Sequence, residues 1–276
     1  MNAGDAFDSF AAKLAQAHPA FPIVRVFVAP AARDATTALE CLVHELAQTA
    51  FYLPEASVAA TKLQWWRDEL ARASRGEARH PVTRALGDTA RGIDVAAGDA
   101  LVVATLALRE AGPPPDFATQ RSLVERIYAP IARLEQSVSG IAEAGATESG
   151  AIATLHARAL SHLVRELART PFDDEEMRAT LPLNRLARHQ LTREALAQPG
   201  EARNAAVRDQ LADIAQGLAA IDPAGASLVT RVRWRLDRAL VAAAGRARDP
   251  LPVLWRGLGR APLSTFWHAW REARRS

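Results

Sequence analysis

Cysteine is almost absent from this 276-residue chain: Cys41 stands alone. A lone thiol cannot staple a fold, so a reducing compartment is expected, with Cys41 a small buried hydrophobe in a leucine-rich helix. No stretch reaches the about 18 uncharged apolar residues that a spanning helix needs. The start Met1-Asn2-Ala3-Gly4-Asp5 has no basic segment followed by an apolar one, so no secretory leader is read and a cytoplasmic protein is expected. β-branched residues never alternate with period two, which removes strands. Lysine is limited to Lys13 and Lys62. The remaining cations are arginines spread among acids, for a net charge of only +3. That dispersion speaks against a nucleic-acid partner, which would want one basic face. A glycine-rich phosphate loop, a Gly-x-Ser-x-Gly elbow, a Cys-x-x-Cys pair and a His-Glu-x-x-His helix are all missing, and with them the commonest catalytic templates.

What remains is helix-forming. Hydrophobic residues make up 49% of the chain, enough for a sizeable core, and alanine, leucine, arginine and glutamate are the best helix formers. Periodicity and punctuation predict helices over about Asp5–Ala17, Ala31–Phe51, Pro54–Ser74, Leu101–Ala111, Asp116–Gly140 and Ser149–Thr170. His18 to Pro30 reads as loop. Asp99 is a candidate N-cap, and Asp173 with Glu176 resembles a capping box. Asp222-Pro223 and Asp249-Pro250 repeat one device, an aspartate cap before a proline in the first turn. After Asp222, Val229, Val232, Leu236, Leu240 and Ala243 form a stripe. The end of the chain is amphipathic, with Phe266, Trp267 and Trp270 opposite Arg271, Arg274 and Arg275. With no repeat and no low-complexity linker, one domain over residues 1–276 is the simplest organisation.

Two local patterns are more distinctive. The first is Lys62-Leu63-Gln64-Trp65-Trp66-Arg67-Asp68-Glu69-Leu70, followed by His80-Pro81-Val82 and Ala85-Leu86. The second is Leu181-Pro182-Leu183 with Leu186-Ala187-Arg188-His189, Leu191-Thr192 and Leu196. Together with Phe27-Val28-Ala29-Pro30-Ala31-Ala32-Arg33 leading into a helix, they resemble the squalene/phytoene synthase family, most clearly over residues 20–200. The resemblance implies an all-α, single-domain, isoprenoid-synthase-like bundle around a central cavity. It also implies head-to-head joining of two isoprenyl diphosphates. That chemistry ionises a diphosphate, and magnesium ions held by two facing Asp-x-x-x-Asp pairs clamp the charge.

The sequence departs from that pattern at both places. Counting back from the tryptophan motif, the first aspartate pair falls on Ala47 (or Gln48) and Phe51, and the preceding arginine on His44. Counting back from Leu181-Pro182, the expected Gln, Asn, Arg, Asp and Asp fall on Ala159, His162, Arg165, Glu166 and Thr170. Asp209 and Asp213 form an Asp-x-x-x-Asp elsewhere and read as a solvated face. His44, His162, Arg165 and Glu166 are therefore the candidate lining of a vestigial cavity. His162 and Glu166, four apart, share a face; they are either a transition-metal pair with His44 or a hydrogen-bonded polar pair.

The family includes degenerate relatives, such as a respiratory complex I assembly factor. The reading preferred at this point is non-catalytic: an isoprenoid or lipid binder, or an assembly or interaction factor, with no cofactor expected. The alternative is an active prenyltransferase with an altered metal site, which would need magnesium. An isoprenyl diphosphate or lipid, a protein partner and peripheral contact with an anionic membrane are the partners this leaves open.

Overall fold

The computed structural model describes residues 3–142, 148–170 and 181–275. Among them there are thirteen α-helices, three short 3-10 turns and no strand. They run α1 (Ala3–Ala17), α2 (Phe21–Val26), α3 (Arg33–Tyr52), α4 (Ala56–Ser74), α5 (Pro81–Ala85), α6 (Ala96–Glu110) and α7 (Phe117–Ala142). Then come α8 (Glu148–Arg169), α9 (Leu183–Arg188), α10 (Glu201–Ala219), α11 (Leu228–Arg246), α12 (Pro250–Leu258) and α13 (Ser264–Ala273).

The two most enclosed helices are α3 and α8. In α3 every residue from Thr37 to Leu46 is buried, including Cys41. In α8 Ala157 to Val164 are buried without a break. Both carry polar side chains inside the core, Glu40, His44 and Glu45 on one and Arg158, Ser161 and His162 on the other. Around them pack α7, α10, α11 and α12 on the α8 side, and α1, α4 and α5 on the α3 side. The start of α8 comes so close to the turn before α11 that a Cβ on Gly150 would lie 1.9 Å from the Gly225 carbonyl oxygen.

The tryptophan motif and the His-Pro dipeptide meet physically. Glu69, completely enclosed in α4, accepts the backbone N–H groups of Arg79 (2.7 Å) and His80 (2.8 Å), the Thr83 hydroxyl (2.6 Å) and the Arg72 guanidinium. Burial alone would raise its pKa, but these donors outweigh it and bring the carboxyl down to about 2. His80 caps α5 by accepting from the Val82 N–H, and its ring sits edge-on to Trp66, Trp65 and Phe10. One buried carboxylate thus joins two stretches of backbone that no helix would otherwise hold together.

Several local expectations change. His18 to Pro30 is not all loop: Pro22 lies in the first turn of α2, where its missing N–H costs nothing. Helix α6 begins at Ala96, three residues before Asp99, with the Asp94 carboxylate accepting from the Ala96 N–H. Asp249 caps α12 as expected, but Asp222 closes only a local turn onto Ala224. The cap of α11 is Ser227, which accepts from the Thr230 N–H. Asp209 and Asp213 are not simply solvated: Asp213 pairs with Arg185, and Asp209 takes His189 at 2.9 Å, so both fasten α9 to α10. The Asp173–Glu176 capping box lies outside the described residues.

Candidate functional site

Helices α3 and α8 face each other through side chains. Phe51, at the position where the resemblance places a metal-binding aspartate, is 3% exposed. Its ring stacks on His162 with centroids 3.8 Å apart and on Tyr128 at 5.7 Å. One residue on, the Tyr52 hydroxyl donates to Glu166 Oε1 at 2.6 Å, and Arg169 covers the Tyr52 ring at 4.4 Å. Burial, then the Glu166 charge and that hydrogen bond, push the Tyr52 phenol far above its ordinary value. The neighbouring Tyr128 is pushed up to about 12, chiefly by burial.

One turn deeper lies a buried ionic cluster. Arg158 on α8 donates to Glu40 Oε1 at 2.6 Å and, through Nε, to Glu135 Oε2 at 2.9 Å. Arg233 from α11 approaches the other oxygen of Glu40 at 3.5 Å. Burial works against the Glu40 carboxylate, yet the two arginines hold it below the usual range. Glu135, with the single arginine and Glu40 as a like-charged neighbour, is pushed upward by burial.

Two cavities bear on the candidate residues. The smaller, about 370 Å³, is lined by Phe51, Arg109, Gln120, His162 and Glu166. The larger, about 750 Å³, opens between α2, α11 and α12 and the turn into α13. Its walls are largely apolar (Phe21, Val24, Val229, Leu236, Val253), and its floor holds His18, Arg165, Arg233 and Asp237. Arg165 donates to the Ser161 hydroxyl at 2.6 Å and reaches His18 Nδ1 at 3.4 Å. Arginine has no acceptor, so Nδ1 of His18 accepts and the ring is neutral. Its pKa is held well below 6.5, first by burial and then by the charges of Arg233 and Arg165. Buried Asp237 has one oxygen, Oδ2, with no hydrogen-bond partner. At this floor two arginines, Arg165 and Arg233, stand against one carboxylate, Asp237, and a neutral His18, which leaves it net positive.

The four candidates are thus divided. His162 and Glu166 share the smaller cavity, and Arg165 lines the larger one. His44 lines neither: it packs edge-on to His18 at 5.5 Å, and burial lowers its pKa. The grouping of His44 with His162 and Glu166 does not form. Among the described residues no three His, Cys, Asp or Glu side chains lie close enough together to hold a metal ion.

Sequence reasoning missed His18, Arg233, Asp237 and the Glu40–Arg158–Glu135 cluster. A signal was there for Arg233, which falls on the α11 apolar stripe, four after Val229 and three before Leu236. A charged residue on a buried stripe requires a partner or a ligand. Arg158, one turn before His162, extends the same polar face of α8.

The described residues form helices and short turns with no strand, packed around an interior that is polar and partly hollow, the architecture expected of an isoprenoid-synthase-like bundle. The squalene/phytoene synthase profile matches residues 14–254, and the chain belongs to that family. The crystal structure of squalene synthase HpnC from Alicyclobacillus acidocaldarius is similar, with a TM-score of 0.57 over 88% of this chain and 94% of that one. The two sequences are 15% identical, so the likeness is one of fold. Compared with proteins of curated function, the sequence finds no match.

Proposed function

We propose that this family member binds an anionic isoprenoid, or a lipid of similar shape, without joining two isoprenyl diphosphates. The observation that carries the reading is the Phe51–His162 stack. It fills the ground between α3 and α8 where a diphosphate-ionising site would gather carboxylates. Magnesium takes hard oxygen donors in a near-octahedral set. Across this gap α3 offers Ala47, Gln48 and Phe51, and α8 offers Glu166, already engaged by Tyr52. That donor set does not fit a magnesium cluster.

Binding needs less. Arginine recognises phosphate oxygens through a planar fork and stays charged when enclosed. The larger cavity supplies Arg165 and Arg233 at its floor and apolar walls above them, which suits a phosphorylated head on a hydrocarbon tail.

The test is thermal unfolding with farnesyl or geranylgeranyl diphosphate, each with and without magnesium. A ligand that binds only the folded state raises the midpoint by mass action. The expected result is a rise that does not depend on magnesium and that shrinks in Arg165→Gln and Arg233→Gln, each measured against its own ligand-free baseline. Magnesium-dependent stabilisation, with a coupled product whose formation disappears in Glu166→Ala, would overturn the proposal and put an active prenyltransferase in its place.

A further inference from the structure

The terminal helix α13 packs the opposite way round from an ordinary surface helix. Its inward positions are Thr265, Ala269 and Glu272, spaced four and three apart and all buried. Glu272 is held there by Arg231 and Arg235 of α11. The apolar positions, Leu263, Phe266 and Trp267, lie on the outer side and are 97%, 59% and 55% exposed, Phe266 with its ring edge-on to Phe27 at 4.9 Å. Trp270 continues the same face, stacked on Trp267 and covered by Arg274. Amphipathic helices bury their apolar side, so an outward leucine–aromatic ridge marks a surface with an external partner.

The charge around the ridge is of one sign. Residues 250–275 contain five arginines and a single acid, the buried Glu272. Arg256, Arg260, Arg274 and Arg275 are exposed, and no carboxylate stands exposed beside them in this stretch. Tryptophan and arginine around a leucine–phenylalanine wedge is the composition of an interfacial helix on an anionic bilayer. A second copy is disfavoured, because a two-fold contact would set this arginine-rich face against itself. The ridge also adjoins an opening: Arg256, Arg260, Pro262 and Leu263 belong to the lining of the 750 Å³ cavity.

We propose that α13 and the α12–α13 turn form a peripheral docking surface for membranes rich in anionic phospholipid, placing the mouth of the larger cavity against the lipid. The side chains of Leu263, Phe266 and Trp267 enter the interfacial region while the arginines meet phosphate groups. Each arginine near such a surface strengthens partitioning about fivefold at moderate salt. The ridge and its charge carry this inference whether or not the cavity holds an isoprenoid.

The experiment is flotation of the full chain with phosphatidylcholine vesicles, and with the same vesicles containing phosphatidylglycerol. The expected result is association with the anionic vesicles, weakened by salt. It falls about tenfold or more in Leu263→Ser/Phe266→Ser/Trp267→Ser. In Arg256→Gln/Arg260→Gln/Arg274→Gln/Arg275→Gln the preference for phosphatidylglycerol is lost. Thermal midpoints show whether these variants stay folded, and Leu263→Asp alone serves as a minimal variant at a fully exposed position. Absence of wild-type flotation, or equal flotation of wild type and Leu263→Asp, overturns the proposal. So does a wild-type dimer that Leu263→Asp dissolves in the absence of any lipid binding, which would assign the ridge to a second copy. Ligand-induced midpoint shifts are read without vesicles, so failure here and failure of the cavity reading are separate results.

Discussion

Phe51 lies face to face with His162, centroids 3.8 Å apart, in the space between the two most buried helices of the molecule. Truncating such a ring removes transfer energy and leaves a void. Phe51→Ala is expected to cost about 3 kcal/mol or more. Phe51→Leu keeps most of the volume and forfeits mainly the stacking, about 1 kcal/mol. Urea unfolding of the two variants checks both figures; equal losses would mean that the stack, and not the filled volume, is what matters.

Glu69 predicts a larger effect than Trp65, the half-exposed ring on the same helix. Glu69→Ala strands two backbone N–H groups, the Thr83 hydroxyl and Arg72 around an enclosed hole. A loss of about 2–4 kcal/mol follows from leaving buried donors unmade. Trp65→Ala, at a half-exposed ring on the same helix, is expected to cost clearly less. Chemical denaturation of the pair decides it.

Arg158→Met removes the only group shared by Glu40 and Glu135 and leaves two carboxylates enclosed together, with Arg233 touching only one of them. Breaking one side of a buried ionic cluster costs about 3–5 kcal/mol. The deficit should narrow on acidification, because protonating Glu135 relieves the repulsion. A variant whose deficit is the same at neutral and mildly acid pH would contradict this account.

His18 and His44 give a pH dependence of known sign. Both pKa values are lowered in the folded protein, so between the folded value and 6.5 the unfolded chain binds more protons. Stability contributed by these neutral rings is present above 6.5 and is lost as pH falls below it, by at most about 1.4 kcal/mol per pH unit for each ring. Glu135 acts in the opposite sense, since its raised pKa lets the folded state hold a proton that the unfolded chain releases. His18→Asn isolates the first contribution: its stability should fall less than that of the wild type from about pH 7 to about pH 5.5. Parallel curves would show that His18 is not the group responsible.

Much of the architecture was legible because its signals are local. The α4 motif, the proline after Asp249 and the stripe of α11 each report a helix through nearest neighbours in sequence. The two Asp-Pro dipeptides show the limit. They are chemically alike, but Ser227 stands where the α11 backbone first turns helical, so Asp222 is left with a two-residue turn. Helix α13 shows another limit. Its two faces were readable from spacing, but which face turns inward depends on Arg231 and Arg235 of α11, which draw Glu272 under the helix. At the site, three of the four candidates sit on one polar helix, yet cavity boundaries separate them. Those boundaries are set by rings from elsewhere in the chain, Phe51 above all.

Cys41, the one thiol, sits 1% exposed in the middle of α3, with burial and then the charges of Glu40 and Glu45 pushing its pKa up to about 12. Thiolate is the reactive form, so alkylating reagents meet almost none of it while the helix stays in place. The native chain therefore carries a silent reporter at its centre. The rate at which an added thiol reagent consumes Cys41 counts how often α3 comes away from its surroundings, in a molecule with no second cysteine to confuse the signal.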